Sequence, residues 1–181
     1  MRKFLLATCT LLLLSGCEQP PSKVGSDAQV SSQKLTDQGF ELMKQQQPRA
    51  AIAMFDQAIG TDPGNVRAYQ GKGLALGNEG QNEQAERVYE QGLKIVHGDM
   101  KLTNNLAMSK ILRGQYEEAV TLLVPYGGSG NVTMQENLAL ANCLLGRKEE
   151  ARKLYGKSLT PAQIEENLRF CNKYEAIRTK K

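Results

Sequence analysis

The sequence predicts an all-α protein, a right-handed superhelical solenoid of about four helix-turn-helix repeats closed by a C-terminal capping helix. Three observations carry the prediction. First, the chain resembles itself: Gly80-Gln-Asn-Glu-Gln-Ala85, Gly114-Gln-Tyr-Glu-Glu-Ala119 and Gly146-Arg-Lys-Glu-Glu-Ala151 are one motif. Ala51 sits at the same place in Gln46-Gln-Pro-Arg-Ala-Ala51, so the alanines are spaced 34, 34 and 32 apart, a period typical of stacked helix pairs. Second, each motif opens on a glycine suited to end one helix and continues with acidic residues suited to the positive start of the next. Third, no run of alternating Val, Ile and Thr suggests a strand.

Each repeat follows from its residues. Residues 32–65 place small Gly39 and large Leu42 on the first helix, Ala51, Phe55 and Ala58 on the second, and Asp62-Pro63-Gly64-Asn65 in the turn. Residues 66–99 repeat the scheme with Tyr69, Gly73, Leu76, Ala85 and Tyr89. Residues 100–131 carry Leu106, Ala107, Ala119 and Leu123; Pro125 stops the second helix and Gly127 to Asn131 form the turn. Residues 132–159 carry Leu138, Ala139, Ala151 and Tyr155. Small residues at 39, 73, 107 and 139 let paired helices approach, and large ones at 55 and 89 fill the space between repeats. A period of 34 with small residues at these offsets resembles the tetratricopeptide repeat. The cap, 160–178, begins Thr160-Pro161-Ala-Gln163, a capping box with proline at the first helical position. A terminal helix of this kind covers the open end of a solenoid.

Ahead of the repeats lies an address. Of 181 residues, 1–16 read as a secretory leader: Arg2 and Lys3, then an apolar stretch from Phe4 to Leu14, too short to span a membrane. Leu14-Ser15-Gly16-Cys17 matches the bacterial lipobox, in which small residues admit a peptidase and the Cys17 thiol accepts a diacylglyceryl group. Acyl chains contribute about 0.8 kcal/mol per buried CH2, so two or more hold a protein on a membrane. Glu18 stands where an Asp would signal inner-membrane retention, which points to the outer membrane, with the chain facing the periplasm. Residues 17–31 read as the lipidated cysteine and a flexible polar linker.

Composition excludes several classes. The formal charge is +4, and removal of the leader, with its two bases, lowers it to +2; a nucleic-acid binder carries a stronger basic bias. A mean hydropathy of -0.44 excludes a multispan membrane protein. There is no Trp and only one His, His97, which falls in an inter-repeat turn, so no catalytic constellation, metal site or cofactor is expected. Gly71-Lys-Gly73 and Gly127-Gly-Ser-Gly130 lack the strand and the Gly-Lys-Ser/Thr ending of a phosphate loop. Cys143 and Cys171 lie on adjacent predicted helices; a disulfide and a pair of small core thiols both fit.

One polar pattern suggests a binding site. Asn105-Leu106, Asn137-Leu138 and Asn167-Leu168 recur at one repeat position. The leucines are core, and the amides are expected to line the concave groove, where each can pair with the backbone of a bound chain. Bracing of neighbouring helices is the competing reading. Arg67 and Lys101, near the starts of two first helices, add basic contacts for an acidic segment or a carboxylate.

The lipobox, the Leu-Leu-Val-Pro125 ending of repeat three, Gln135-Glu-Asn-Leu-Ala and the cap's Glu165-Glu-Asn-Leu168 together resemble the TadD family of Flp pilus (tight adherence) assembly lipoproteins. The resemblance implies a pilotin-like assembly factor, not an enzyme. Its partner would be a secretin or another pilus assembly component, and its membrane contact the lipid anchor. A pilotin of ordinary type IV pili, or a periplasmic scaffold for cell-wall machinery, is the alternative.

Overall fold

The computed structural model describes residues 23–178, which form nine α-helices and one 3-10 turn; no strand occurs among the described residues. The leader and Cys17 lie outside the described residues. The helices are α1 Lys23–Lys44, α2 Pro48–Thr61, α3 Val66–Asn78, α4 Asn82–Ile95, α5 Met100–Leu112, α6 Tyr116–Leu123, α7 Val132–Leu144, α8 Lys148–Tyr155 and α9 Pro161–Arg178. They pair as α1/α2, α3/α4, α5/α6 and α7/α8, with α9 packed on α7 and α8. The first member of each pair is called helix A below and the second helix B. The 3-10 turn, Val124–Tyr126, contains Pro125 and follows α6 directly, so the proline ends repeat three as expected.

The two kinds of helix start differently. The A helices α3, α5 and α7 are capped by Asn65, Asp99 and Asn131, whose side chains accept from the amides of Ala68, Leu102 and Met134. The B helices α4, α6 and α8 have no side-chain cap, but carry Glu83, Glu117 and Glu118, and Glu149 and Glu150 in their first turns, where the helix dipole favours anions. Between A and B, Gly80, Gly114 and Gly146 all have positive φ, at 73°, 78° and 78°. In the first repeat Gln46 occupies the same place at φ 59°, a conformation that disfavours a side chain. The capping box of α9 is complete: the Thr160 amide donates to Gln163 Oε1 at 2.9 Å, and the Gln163 amide donates to Thr160 Oγ1 at 3.4 Å.

Rings against bare backbone set the spacing of the helices. Phe55 of α2 is fully buried, and its ring lies against Gly39 of its own repeat and Gly71 of the next. Tyr89 repeats this against Gly73. A Cβ at any of these three glycines would fall well inside van der Waals contact with the ring. From α5 onward the core widens into one cluster running from Ala107 through Leu138 to Leu168.

Helix α1 differs from expectation. It begins at Lys23, so residues 23–31 of the expected flexible linker are helical. Just inside, the helix is held firmly: buried Ser32 donates to the Ala58 carbonyl at 2.8 Å, and Asn65 donates to both Ser32 Oγ and Thr36 Oγ1 at 2.7 and 2.9 Å. Once a helix is nucleated, each further residue adds a hydrogen bond at little cost. The polar stretch therefore extends it back to Lys23.

The far end is fastened covalently. Cys143 of α7 and Cys171 of α9 form a disulfide with a Cα–Cα distance of 5.9 Å, closing 28 residues of sequence. Ile164 and Leu168 bury beside it. A charged staple joins repeats two and three: Glu86 Oε2 of α4 meets Arg113 Nη1 at 3.0 Å and Lys110 Nζ at 3.5 Å. Lys110 also donates to Glu118 at 2.7 Å. Burial pulls the Lys110 pKa down, but Glu118 and Glu86 outweigh it, and the ammonium is held above its ordinary range.

Two predictions follow from these contacts. Gly73→Ala should lower stability by about 1–3 kcal/mol through overpacking against Tyr89, whereas Gln46→Gly should leave it equal or raise it by up to about 1 kcal/mol; urea unfolding measures both. Replacing Cys143 and Cys171 by Ala should cost about 2–4 kcal/mol, with hydrogen-exchange protection lost first in α9.

Candidate functional site

Consecutive A helices touch one another along the whole array, α1 to α3, α5, α7 and α9, whereas among the described residues no B helix touches the B helix of the next repeat. The A row is therefore the inside of the curve, and its outward surface is a concave groove. Sequence register places Phe40, Leu74, Met108, Leu140 and Phe170 at one position on the five A-row helices, one residue past the small one on α1, α3, α5 and α7. They form an apolar stripe along the groove. Leu74 is 43% and Phe170 59% exposed, and the other three are partly buried. Phe170 stacks on Tyr174, with ring centroids 6.5 Å apart.

Two cavities open along this stripe. One, of about 340 Å3, runs across α1, α3, α5 and the start of α7 and is lined by Phe40, Gln70, Met100, Lys101 and Asn104 among others. The other, of about 200 Å3, sinks between α3 and α5 beside Gly73 and Gly77, with Tyr89 at its base. Leu74 and Asn105 line both, so the two are continuous. Burial pushes the Tyr89 hydroxyl far above the ordinary phenol range.

The structure separates the residues singled out from the sequence. Asn105 is half-buried and lines both cavities. Asn137 does not serve as a groove amide: it is buried, and its Nδ2 donates to Asn104 Oδ1 on the preceding A helix at 2.8 Å. It braces two repeats because Asn104, one residue before Asn105, supplies an acceptor. Asn167 is half-buried on α9. Lys101 is exposed beside the cavities and has no ion pair among the described residues. Arg67 is not the available cation that its position suggested: it pairs with Asp37 of α1 and stands 4.7 Å above the Phe40 ring. The cation–π contact and the ion pair both hold it against the first repeat. His97 is an exposed turn residue. Asn131, part of a glycosylation-like pattern, caps α7.

Sequence reasoning missed the apolar stripe. The signal was present as Phe40, Leu74, Met108, Leu140 and Phe170, spaced 34, 34, 32 and 30 apart. Attention fell on the amides one turn earlier because hydrophobic residues in a helix are ordinarily read as core.

Residues 42–101 match the tetratricopeptide repeat family model. An uncharacterized protein of Sinorhizobium fredii, y4yS, is 30% identical over 77 residues, which are 42% of this chain; the chain spans 42% of that relative's length. Among solved structures, Pseudomonas aeruginosa pilF superposes with a TM-score of 0.71 at 16% identity, over 83% of this chain and 71% of that one. YrrB, described as a TPR protein with an unusual peptide-binding site, gives 0.65 at 15% identity, over 85% and 82%. At such identities the likeness is one of fold. The stacked helix pairs account for the concave A-helix surface as well as the small and large residues that close it.

The bracing and groove roles of the amides separate by mutation. Asn137→Ala should lower stability by about 1 kcal/mol, with coupling to Asn104→Ala in a double-mutant cycle. Asn105→Ala should stay within about 0.5 kcal/mol of the parent in the same urea titration.

Proposed function

We propose that this chain is a lipid-anchored, periplasm-facing scaffold of the outer membrane that captures a segment of a pilus-assembly partner in its concave groove. The partner is the secretin, or another component, of a Flp (tight adherence) pilus machine. The observation that carries the reading is the groove itself: five helices present one continuous stripe of partly exposed apolar side chains, bordered by amides and one unpaired lysine. Such a stripe offers side-chain burial, and the amides offer hydrogen bonds to a backbone, which suits a protein segment.

Three further points support it. The fold is shared with YrrB, which is described as having a peptide-binding site. The lipobox ending in Cys17 supplies an anchor. The motifs from 100 to 170 resemble the TadD family. The mechanism needs no chemistry on the partner: the acyl chains hold the array at the membrane, and the groove raises the partner's effective concentration there. The likeness in fold to pilF favours, as a second reading, assembly of an ordinary type IV pilus. A neighbouring Flp prepilin gene and secretion ATPase gene would favour the first reading.

A deletion strain should lose most of its outer-membrane secretin multimers, scored on non-denaturing gels of membrane fractions. Wild type should restore them. Neither Cys17→Ser, which should also abolish labelling by an alkyne palmitate analogue, nor Leu74→Glu in the groove should do so. Normal secretin level, location and multimerisation in the deletion strain would contradict the proposal.

A further inference from the structure

The groove is uneven, and one position explains why. Register places Gly77 of α3 where the other repeats carry Met43, Ile111 and Cys143. The absence of a side chain there leaves the cavity of about 200 Å3 whose wall includes Leu74, Tyr89, Asn105, Met108 and Leu112. A Cβ built on Gly77 meets nothing within 4 Å. Gly73, one turn earlier, is filled by the Tyr89 ring and has to be glycine for packing. Gly77, the penultimate residue of α3, has no such packing contact. What the residue does is keep a hole open.

The hole suits a side chain. A dry cavity of about 150 Å3 already admits a benzene ring. The slot is lined by apolar Leu74, Met108 and Leu112 together with Asn78, Asn82 and Asn105, and Leu74 and Leu112 are 43% and 66% exposed. Lys101 stands seven residues before Met108, in the middle of the slot's α5 wall, about 10 Å along the helix axis. Of the two cations that the sequence suggested for this face, Arg67 is neutralised by Asp37, and Lys101 has no acidic partner among the described residues. An extended chain advances about 3.3 Å per residue, so 10 Å is about three residues.

We propose that the slot at Gly77 is a specificity pocket that seats one large apolar side chain of a partner's extended segment, with an acidic residue about three positions away facing Lys101. This rests on the groove reading above and names the chemistry of what the groove takes. The occupant is a partner segment because the slot and the unpaired lysine together call for apolar and acidic groups on one strand.

The test uses the mature lipoprotein in detergent and a fluorescein-labelled probe, Ser-Gly-X-Ser-Ser-Glu-Gly, in which X is the photoreactive diazirine analogue of leucine. Irradiation and peptide mapping should place the crosslinks on residues 74–78 and 105–112. Gly77→Leu should melt at or above the wild-type temperature, since the added side chain meets open space, yet lose at least tenfold in crosslink yield. Lys101→Glu should lose at least threefold, and a probe with Lys in place of Glu should recover the yield. An undiminished yield with Gly77→Leu overturns the pocket. Crosslinks near Phe40 or Phe170 that ignore Gly77→Leu overturn the pocket and leave the groove reading standing. Crosslinks confined to the B helices, or none above a control with free photoreactive leucine, count against both.

Discussion

The Phe55 ring lies against the bare backbones of Gly39 and Gly71, and much of the molecule depends on that contact. One ring touches the A helix of its own repeat and that of the next, so a single contact closes a helix pair and stacks two pairs. Tyr89 packs in the same way against Gly73 of its own repeat. Because these rings fill the space between the A and B layers, the A helices are free to touch along one side while the B helices diverge. The curvature of the array, and therefore the concave groove, is a consequence of where the glycines fall.

The ends of a solenoid lack neighbours, and this chain treats its two ends differently. At the start, α1 overruns its repeat by nine residues and is secured by hydrogen bonds from Ser32 and Asn65. At the finish, a single helix replaces a pair and is held to α7 by the Cys143–Cys171 bridge. Among its described residues α9 buries Ile164, Leu168 and Cys171, and the covalent link adds to what keeps it in place. Placing α9 firmly also carries the apolar stripe on to Phe170, which makes the cap part of the groove as well as its end.

Much of this was legible in the sequence. The period, the glycine caps between A and B, the proline stop at Pro125 and the capping box at Thr160 are local signals, and each acts through the backbone within a few residues. The candidate site was less legible because it depends on contacts between repeats. Nothing near Asn137 in sequence shows that Asn104, 33 residues earlier, would take its amide. Asp37 and Arg67 lie 30 residues apart. The helical extension at 23–31 escaped notice because its residues are weakly helical alone and take their conformation from the packed turn that follows. Gly77 looks like any other glycine in the sequence; only the neighbouring side chains show that it faces a void.

The central claim is that the A-helix face, and not the B-helix face, holds the partner. Site-specific photocrosslinking in cells tests it most directly, with benzoylphenylalanine placed in turn at Met108 on the groove and at exposed Glu90 on α4, and the adducts probed with an antibody to the secretin. The account predicts a secretin adduct from position 108 and none from position 90. An adduct from position 90 with none from position 108 would contradict it.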